Sequence, residues 1–575
     1  MNTVTTNDQT TARSPLFVFA DRLVDELAAR DPLFATMAGV AGYDDQLPDF
    51  SVEHQHDDER MLGESLRVVE AIEPTDDVDR IAKAVIVERL SSDRALLRAG
   101  EVRRTFSVIS SPLSEIRQVF ELMDARSPAD AGVIATRLDA VASSLASWRG
   151  SLANATSEQL PSRRHVLGVA DQASTYADGS FAELAQRVAI ATGVDLDGSG
   201  LRDAAAAADR ACGELAQWLR STVAPRTTTE EGCGRERYVP WARYFTGAEL
   251  DLEELYQWGW EESRRIHDRM VALADSMYPG VGGLREASVL LDQDPDQLID
   301  GTQALLARLR SFVDAAVERL DGVHFDIDPR VRFCDVRLAP EGSASAAYYI
   351  PVSEDLSRPG TTWYPTMGAT TFAWWRFPAT WYHEAVPGHH LQAAIAMLAA
   401  DRQSRFHRLR GWTSGYGEGW ALYAERLMEE LDGYASPAEE FGYLAGQALR
   451  ANRIVVDVGL HLGLDAPDGL GVLGSLGDCS ARPWTAEMAV ALLEEWAIEE
   501  HASAVSEVDR YLGMPGQAIS YKVGQRRWLE VRDGARARLG ARFDLKAFHQ
   551  QALVLGPLGL DLFAAEMAAW STDAT

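Results

Sequence analysis

Apolar positions recur at intervals of three and four through most of the chain. FVFADRLVDELAARDPLFATMAG, RIAKAVIVERLSSDRALLRA, AGVIATRLDAVASSLASWRGSLANA and LRDAAAAADRACGELAQWLRSTV carry that period between residues 16 and 223, with Ala, Leu, Arg and Glu adding helix propensity. Ser127-Pro128 is a start signal for a helix over 129–154. The stretch 224–240, APRTTTEEGCGRERYVP, has no period and reads as a linker. Helical spacing resumes with AELDLEELYQWGWEESRRIHDRMVALADSMY, then covers 377–463 and 484 to the end. Between about 330 and 366, VRFCDVRLAP, ASAAYYIPVSE and TTWYPT bring Val, Tyr, Phe and Thr between Pro and Gly, which predicts a small antiparallel sheet. The pattern therefore predicts a mainly α fold: a disordered tail over 1–15, an N-terminal helical region over 16–223, a linker over 224–240 and a C-terminal region over 241–575.

Composition narrows the function. With 575 residues the chain exceeds the roughly 250–300 that one core serves, consistent with two regions. A hydrophobic share of 46% with 25% charged residues excludes disorder as the main state. The net charge of −31 argues against nucleic acid and against anionic membranes as partners. The polar start MNTVTTNDQTTARSPLF lacks the apolar run of a signal peptide, and no apolar stretch reaches spanning length. Cys212, Cys233, Cys334 and Cys479 form no C-x-x-C pair, so neither a disulfide framework nor a thiolate metal site is expected, and a cytoplasmic location follows as the default. Assembly into a homo-oligomer stays open.

The chemistry concentrates in WYHEAVPGHHLQ, residues 381–392, where three of the twelve histidines fall within eight positions beside Glu384. Imidazole and carboxylate are the non-thiolate ligands zinc prefers, so the cluster points to one zinc ion. In H-E-x-x-H helices two histidines four apart share a face and the glutamate is the base. Here the fourth residue after His383 is Pro387. On a straight helix His390 shares the face of His383 but sits about 10 Å further along, and His389 points about 120° away. Neither could join His383 on one ion. Pro387 disfavours a regular helix and Gly388 lets the chain loop out. Extruding two residues brings His389 to the metal; extruding three brings His390.

A third ligand should be a carboxylate on a following helix. RGWTSGYGEGWALYAERLMEELDG supplies Glu418, opening a helix after a Gly-Tyr-Gly turn, and Glu425 seven residues on as a partner for a ligand histidine. Arg450, Arg453, Asp457 and His461 share one helix face, suited to a substrate carboxylate, to orienting ligands or to an ion ladder. Arg358 is a candidate substrate anchor or turn residue. Trp363, Trp374, Trp375, Trp412 and Trp420 are candidates to wall a cleft.

HEAVPGHHLQ, YGEGWALYAERL, YYIPVSEDLSRPGTTWYPT, RANRIVVDVGLH and PGQAISYKVG, in this order, resemble a bacterial family known as domain of unknown function 885. That family looks like a distant relative of helical zinc peptidases of the thimet oligopeptidase and Taq carboxypeptidase type, whose HExGH-x-L corresponds to HEAVPGHHLQ with two residues inserted. The resemblance implies a large helical zinc-peptidase-like fold with the small sheet beside the metal-binding helices, and selects His383, His389 and Glu418 as ligands. It also implies an oxyanion-stabilising tyrosine from a late loop, here Tyr521, with Gln517 and Lys522 nearby. The expected activity is zinc-assisted hydrolysis of an amide in a small peptide or conjugate, with Glu384 as base. A metal-dependent amide-forming enzyme and a non-catalytic helical binding protein are the rival readings.

Overall fold

Serine and proline set many of the helix starts. In the computed structural model, which describes residues 13–339, 346–353, 356 and 358–571, Ser14 caps the helix Pro15–Arg30 by accepting from the Phe17 N–H. Most of the expected tail at 1–15 lies outside the described residues. Ser127 accepts from the Asp130 N–H at 3.3 Å while the Asp130 carboxylate accepts from the Ser127 N–H at 2.9 Å, a reciprocal cap. The segment expected as one helix is two, Pro128–Asp139 and Val141–Ala153.

The N-terminal helices enclose two cores, one around Trp148, Phe181 and Leu215 and one around Leu23, Leu66 and Ile86. Phe406, from far down the chain, is buried in the second, and Val85 joins the core around Trp420 and Trp528. Packing thus crosses the expected linker. Within 224–240 itself a helix, Arg235–Thr246, begins after Gly234. Its buried face is Tyr238, Ala242 and Thr246, too weakly apolar to show a period.

Seven further helices build the site: α1 (Leu252–Met277), α2 (Phe377–Glu384), α3 (His389–Leu398), α4 (Ser414–Glu430), α5 (Pro437–Leu462), α6 (His501–Gly513) and α7 (Ser520–Leu539). Helix α5 is central, with every residue from Ala451 to His461 buried despite its run of β-branched residues, as packing overrides propensity. Helix α4 lies along α7 because Gly419 meets Gly524 directly: a Cβ on Gly524 would stand 2.0 Å from the Gly415 carbonyl oxygen.

Among the described residues five short strands accompany the helices: β1 (Leu298–Asp300), β2 (Asp335–Leu338), β3 (Tyr348–Ile350), β4 (Thr361–Tyr364) and β5 (Thr371–Ala373). Antiparallel pairing occurs as expected between β3 and β4, and a second antiparallel pair, β1 with β5, forms outside the expected 330–366. Strand β2 instead joins β4 in parallel, giving the order β2-β4-β3. The connection from Leu338 to Thr361 is long enough for a parallel return, a direction that side-chain alternation does not encode. Among the described residues no helix is long and apolar enough to cross a membrane.

Candidate metal centre

Helix α2 stops at Glu384 and α3 starts at His389, so the histidine motif is two helices joined by a loop rather than one bulged helix. The Val386–Pro387 peptide is cis. Gly388 is required: a Cβ there would lie 1.8 Å from the His383 carbonyl oxygen. Trp420 on α4 holds the loop from below, its indole N–H lying 2.9 Å from the Pro387 carbonyl oxygen and 3.2 Å from that of Gly388.

The loop turns His389 back toward His383, with ring centroids 4.9 Å apart. One ligand atom each from His383, His389 and Glu418 lie within 4.8 Å of one another. Glu418 Oε2 is 3.3 Å from His383 Nε2 and 3.5 Å from His389 Nε2, yet it is buried without a hydrogen bond of good geometry among the described residues. Tetrahedral ligands about 2.1 Å from zinc lie about 3.4 Å apart, so the spacing and the donor set suit that ion. Burial alone would keep the His383 imidazole neutral, but Glu418 and Glu425 outweigh it and lift its pKa to about 10. Burial works against ionisation of Glu418 too, and the two imidazoles overcome it, holding the carboxyl well below the usual range. The cluster already attracts positive charge.

Behind the cluster, Glu425 accepts from His383 Nδ1 at 2.8 Å and from Gln447 Nε2 at 2.9 Å. In front lies a cavity of about 770 Å³ lined by His383, Glu384, His389 and Glu418. The Glu384 carboxylate has no hydrogen-bonding partner among the described residues, and burial raises its pKa despite both imidazoles and Arg450. Tyr521 also lines the cavity, its ring stacked 6.4 Å from that of His383; burial raises its pKa, so the phenol keeps its proton.

Other expected residues lie elsewhere. His390 is completely buried facing away, between the Tyr349 hydroxyl at 3.0 Å and the Val331 carbonyl at 2.8 Å, and burial lowers its pKa to about 4; it is a neutral structural histidine, because the loop delivers only the first of the pair to the cluster. Asp457 and His461 lie off the cavity: Asp457 accepts from the Tyr238 hydroxyl and the Gly516 N–H, and His461 binds the Cys233 N–H and approaches the Tyr511 carbonyl. Lys522 points away from it too, paired with Glu262 at 3.0 Å. Arg358 is exposed and not part of the lining, its N–H donating to Ser353 in a turn. Gln517 does line the cavity and accepts from Arg510. Of the five tryptophans only Trp412 lines it; Trp374, Trp375 and Trp420 are core residues, and Trp363 stacks on Tyr348. Sequence reasoning missed Glu507 and Arg510 on α6, which join Arg450 and Arg453 on the wall. Their only signal is an i, i+3 charge pair, common on solvated helices.

Residues 32–567 match the family model described as "Bacterial protein of unknown function (DUF885)". No curated protein shows significant similarity to the chain. Two solved structures share the fold over nearly the whole length. One, a "putative lipoprotein" from Colwellia psychrerythraea, is 22% identical with a TM-score of 0.83, covering 96% of this chain and 98% of that one. Another, a "putative lipoprotein of unknown function" from Shewanella oneidensis, is 20% identical with a TM-score of 0.73, covering 96% and 100%. These descriptions overturn the cytoplasmic default: cysteine spacing and a polar N-terminus do not assign this fold to the cytoplasm.

Proposed function

The chain belongs to the bacterial DUF885 family, and from that premise and the cluster's geometry we propose that it is a zinc-dependent hydrolase of peptide or related amide bonds in small peptides or amino-acid conjugates. The observation that carries the reading is the convergence of His383, His389 and the unpartnered Glu418 Oε2 at zinc-ligand spacing, with Glu384 beside them on a cavity wall. His383, His389 and Glu418 would hold the ion. Zinc supplies a Lewis acid and an acidified water at neutral pH.

The remaining work falls to the chain. Glu384, its pKa raised by burial, accepts the proton of the attacking water and returns it to the leaving amine. Tyr521 donates its phenolic proton in a hydrogen bond to the developing oxyanion. Strand β3 is the edge of its sheet and Tyr348 and Tyr349 line the cavity, which suits addition of an extended substrate as a further strand. Glu425 orients His383.

Metal analysis and one variant test this. Protein from zinc-replete expression should carry about one equivalent, and less than about half would sink the reading. Glu384→Gln should keep the zinc and lose roughly 10²–10⁴-fold in turnover of a peptide library. A variant that still cleaves at the wild-type rate would remove Glu384 from the mechanism. New amino termini separate hydrolysis from amide formation.

A further inference from the structure

One wall of the cavity carries more positive charge than its neighbours neutralise. Arg450 and Arg453 on α5 and Arg510 on α6 all line it, with Glu507 as the carboxylate among them. Glu507 is already shared: Arg453 Nη2 lies 2.7 Å and Arg510 Nη2 2.8 Å from its Oε2, and the Tyr511 hydroxyl donates to the same oxygen. Among the described residues Arg450 has no carboxylate partner; its Nη1 donates to the Gly446 carbonyl at 3.2 Å and its buried Nε has no hydrogen bond. Arg453 is 6% exposed, and its buried Nη1 likewise has no hydrogen bond among the described residues. Among the described residues of this wall, three guanidinium groups against one carboxylate leave an excess of two positive charges, in a chain whose net charge is −31. Buried charged donors normally find a partner, and planar guanidinium groups favour carboxylates.

The distance to the metal ligands is short. Arg453 Cζ lies 4.6 Å from the Tyr521 ring centroid, which lies 6.4 Å from the His383 ring, so the guanidinium is within about 11 Å of the ligand ring. Less the ion's ligand shell at one end and an ion pair at the other, that gap holds at most about one extended residue of roughly 3.5 Å.

We propose that Arg450, Arg453 and Arg510 form a carboxylate subsite, so that the substrate carries a free α-carboxylate about one residue beyond the amide carbonyl that is cleaved. This rests on the hydrolase reading and names its substrate class: C-terminal residues of short peptides, dipeptides and N-acyl amino acids. The subsite would hold the carboxylate by the guanidinium groups that line the cavity, Arg450 foremost because Glu507 already engages the other two.

The test compares N-benzoylglycyl-leucine with its C-terminal amide on the zinc-loaded protein. The expected kcat/KM favours the acid by about 100-fold, as for a site whose polar groups are left unpaired by the wrong substrate. Arg450→Met should reduce the preference to within about tenfold. Equal rates for acid and amide, or an unchanged preference in Arg450→Met, would overturn the subsite. If neither compound is cleaved, the hydrolase reading fails on that substrate while the subsite remains decidable by calorimetry on zinc-loaded Glu384→Gln. There, binding of the acid at least tenfold tighter than the amide supports it, and equal or undetectable binding of both refutes it.

Discussion

Zinc uptake should release a proton, and the pH dependence of affinity measures it. In the ion-free protein His383 has a pKa raised to about 10 by Glu418 and Glu425, so at pH 7.5 it is an imidazolium. An ion can bind Nε2 only after displacing that proton. The apparent affinity at pH 7.5 should therefore lie about 300-fold, or roughly 3 kcal/mol, below its limit, the cost of displacing a proton held about 2.5 pH units above the working pH. The sign follows: affinity rises about tenfold per pH unit up to about 10 and levels off above it. Chelator-competition titrations between pH 6.5 and 8.5 give the slope, and calorimetry in buffers of different ionisation enthalpy gives the proton count. A flat affinity over that range, or no proton released, would refute the reasoning. Glu425→Gln adds a second check because it moves two quantities in opposite directions. Losing that carboxylate weakens the limiting affinity by about 10–100-fold, yet it lowers the His383 pKa and so reduces the proton's competition. The wild-type and variant curves should converge toward acid pH.

Two further outcomes follow from the backbone and from a buried acid. Gly388→Ala places a methyl 1.8 Å from the His383 carbonyl oxygen, so the loop must shift; a loss of at least tenfold in zinc affinity is expected by titration, and wild-type affinity would show that the loop does not set His389. Asp457 has its carboxyl raised to about 7 by burial, against the support of Tyr238 and Gly516. Native protein then binds more protons than unfolded protein between about pH 4 and 7, so this group's contribution to stability falls as pH rises through that window. Asp457→Asn should match wild type in urea at pH 4.5 and exceed it at pH 8 by up to about 4 kcal/mol; equal stability at both pH values would place the charge elsewhere.

How much of this was legible depended on whether the partners were close in sequence. Helical content, Glu418 and Glu425 followed from local spacing, and Pro387-Gly388 announced a break because its effect is on its own backbone. The choice between His389 and His390 could not be read from turns alone, because His390 is claimed by Tyr349 and Val331, contributed by β3 and a short 3₁₀ turn. Tryptophan misled for a related reason: an indole in a motif reads as a cleft wall, yet Trp420 is spent on two carbonyls of the loop. The Gly-Tyr-Gly stretch read as a turn, whereas Ser414–Glu430 is helical through it, Gly415 letting Thr246 and Leu560 approach and Gly417 letting Trp412 approach.

Lys522 shows why the layer behind the metal cluster escapes a sequence reading. Beside Tyr521 it looked like a second group aimed at substrate, but adjacent helical residues point about 100° apart and it faces the interior. An ammonium only donates, so its 2.8 Å contact with Gln447 makes that atom the amide oxygen. The Gln447 amide nitrogen must then face Glu425 Oε2, at 2.9 Å, leaving Oε1 to accept from His383 Nδ1. With Nδ1 holding its proton against Glu425, Nε2 is the nitrogen that faces His389 and Glu418 and the one an ion would take once its proton leaves, so the nitrogen His383 offers is set by charges on α7 and, through Glu262, α1. Four helices close this chain across more than two hundred residues, and each of its members alone reads as an ordinary surface charge or amide.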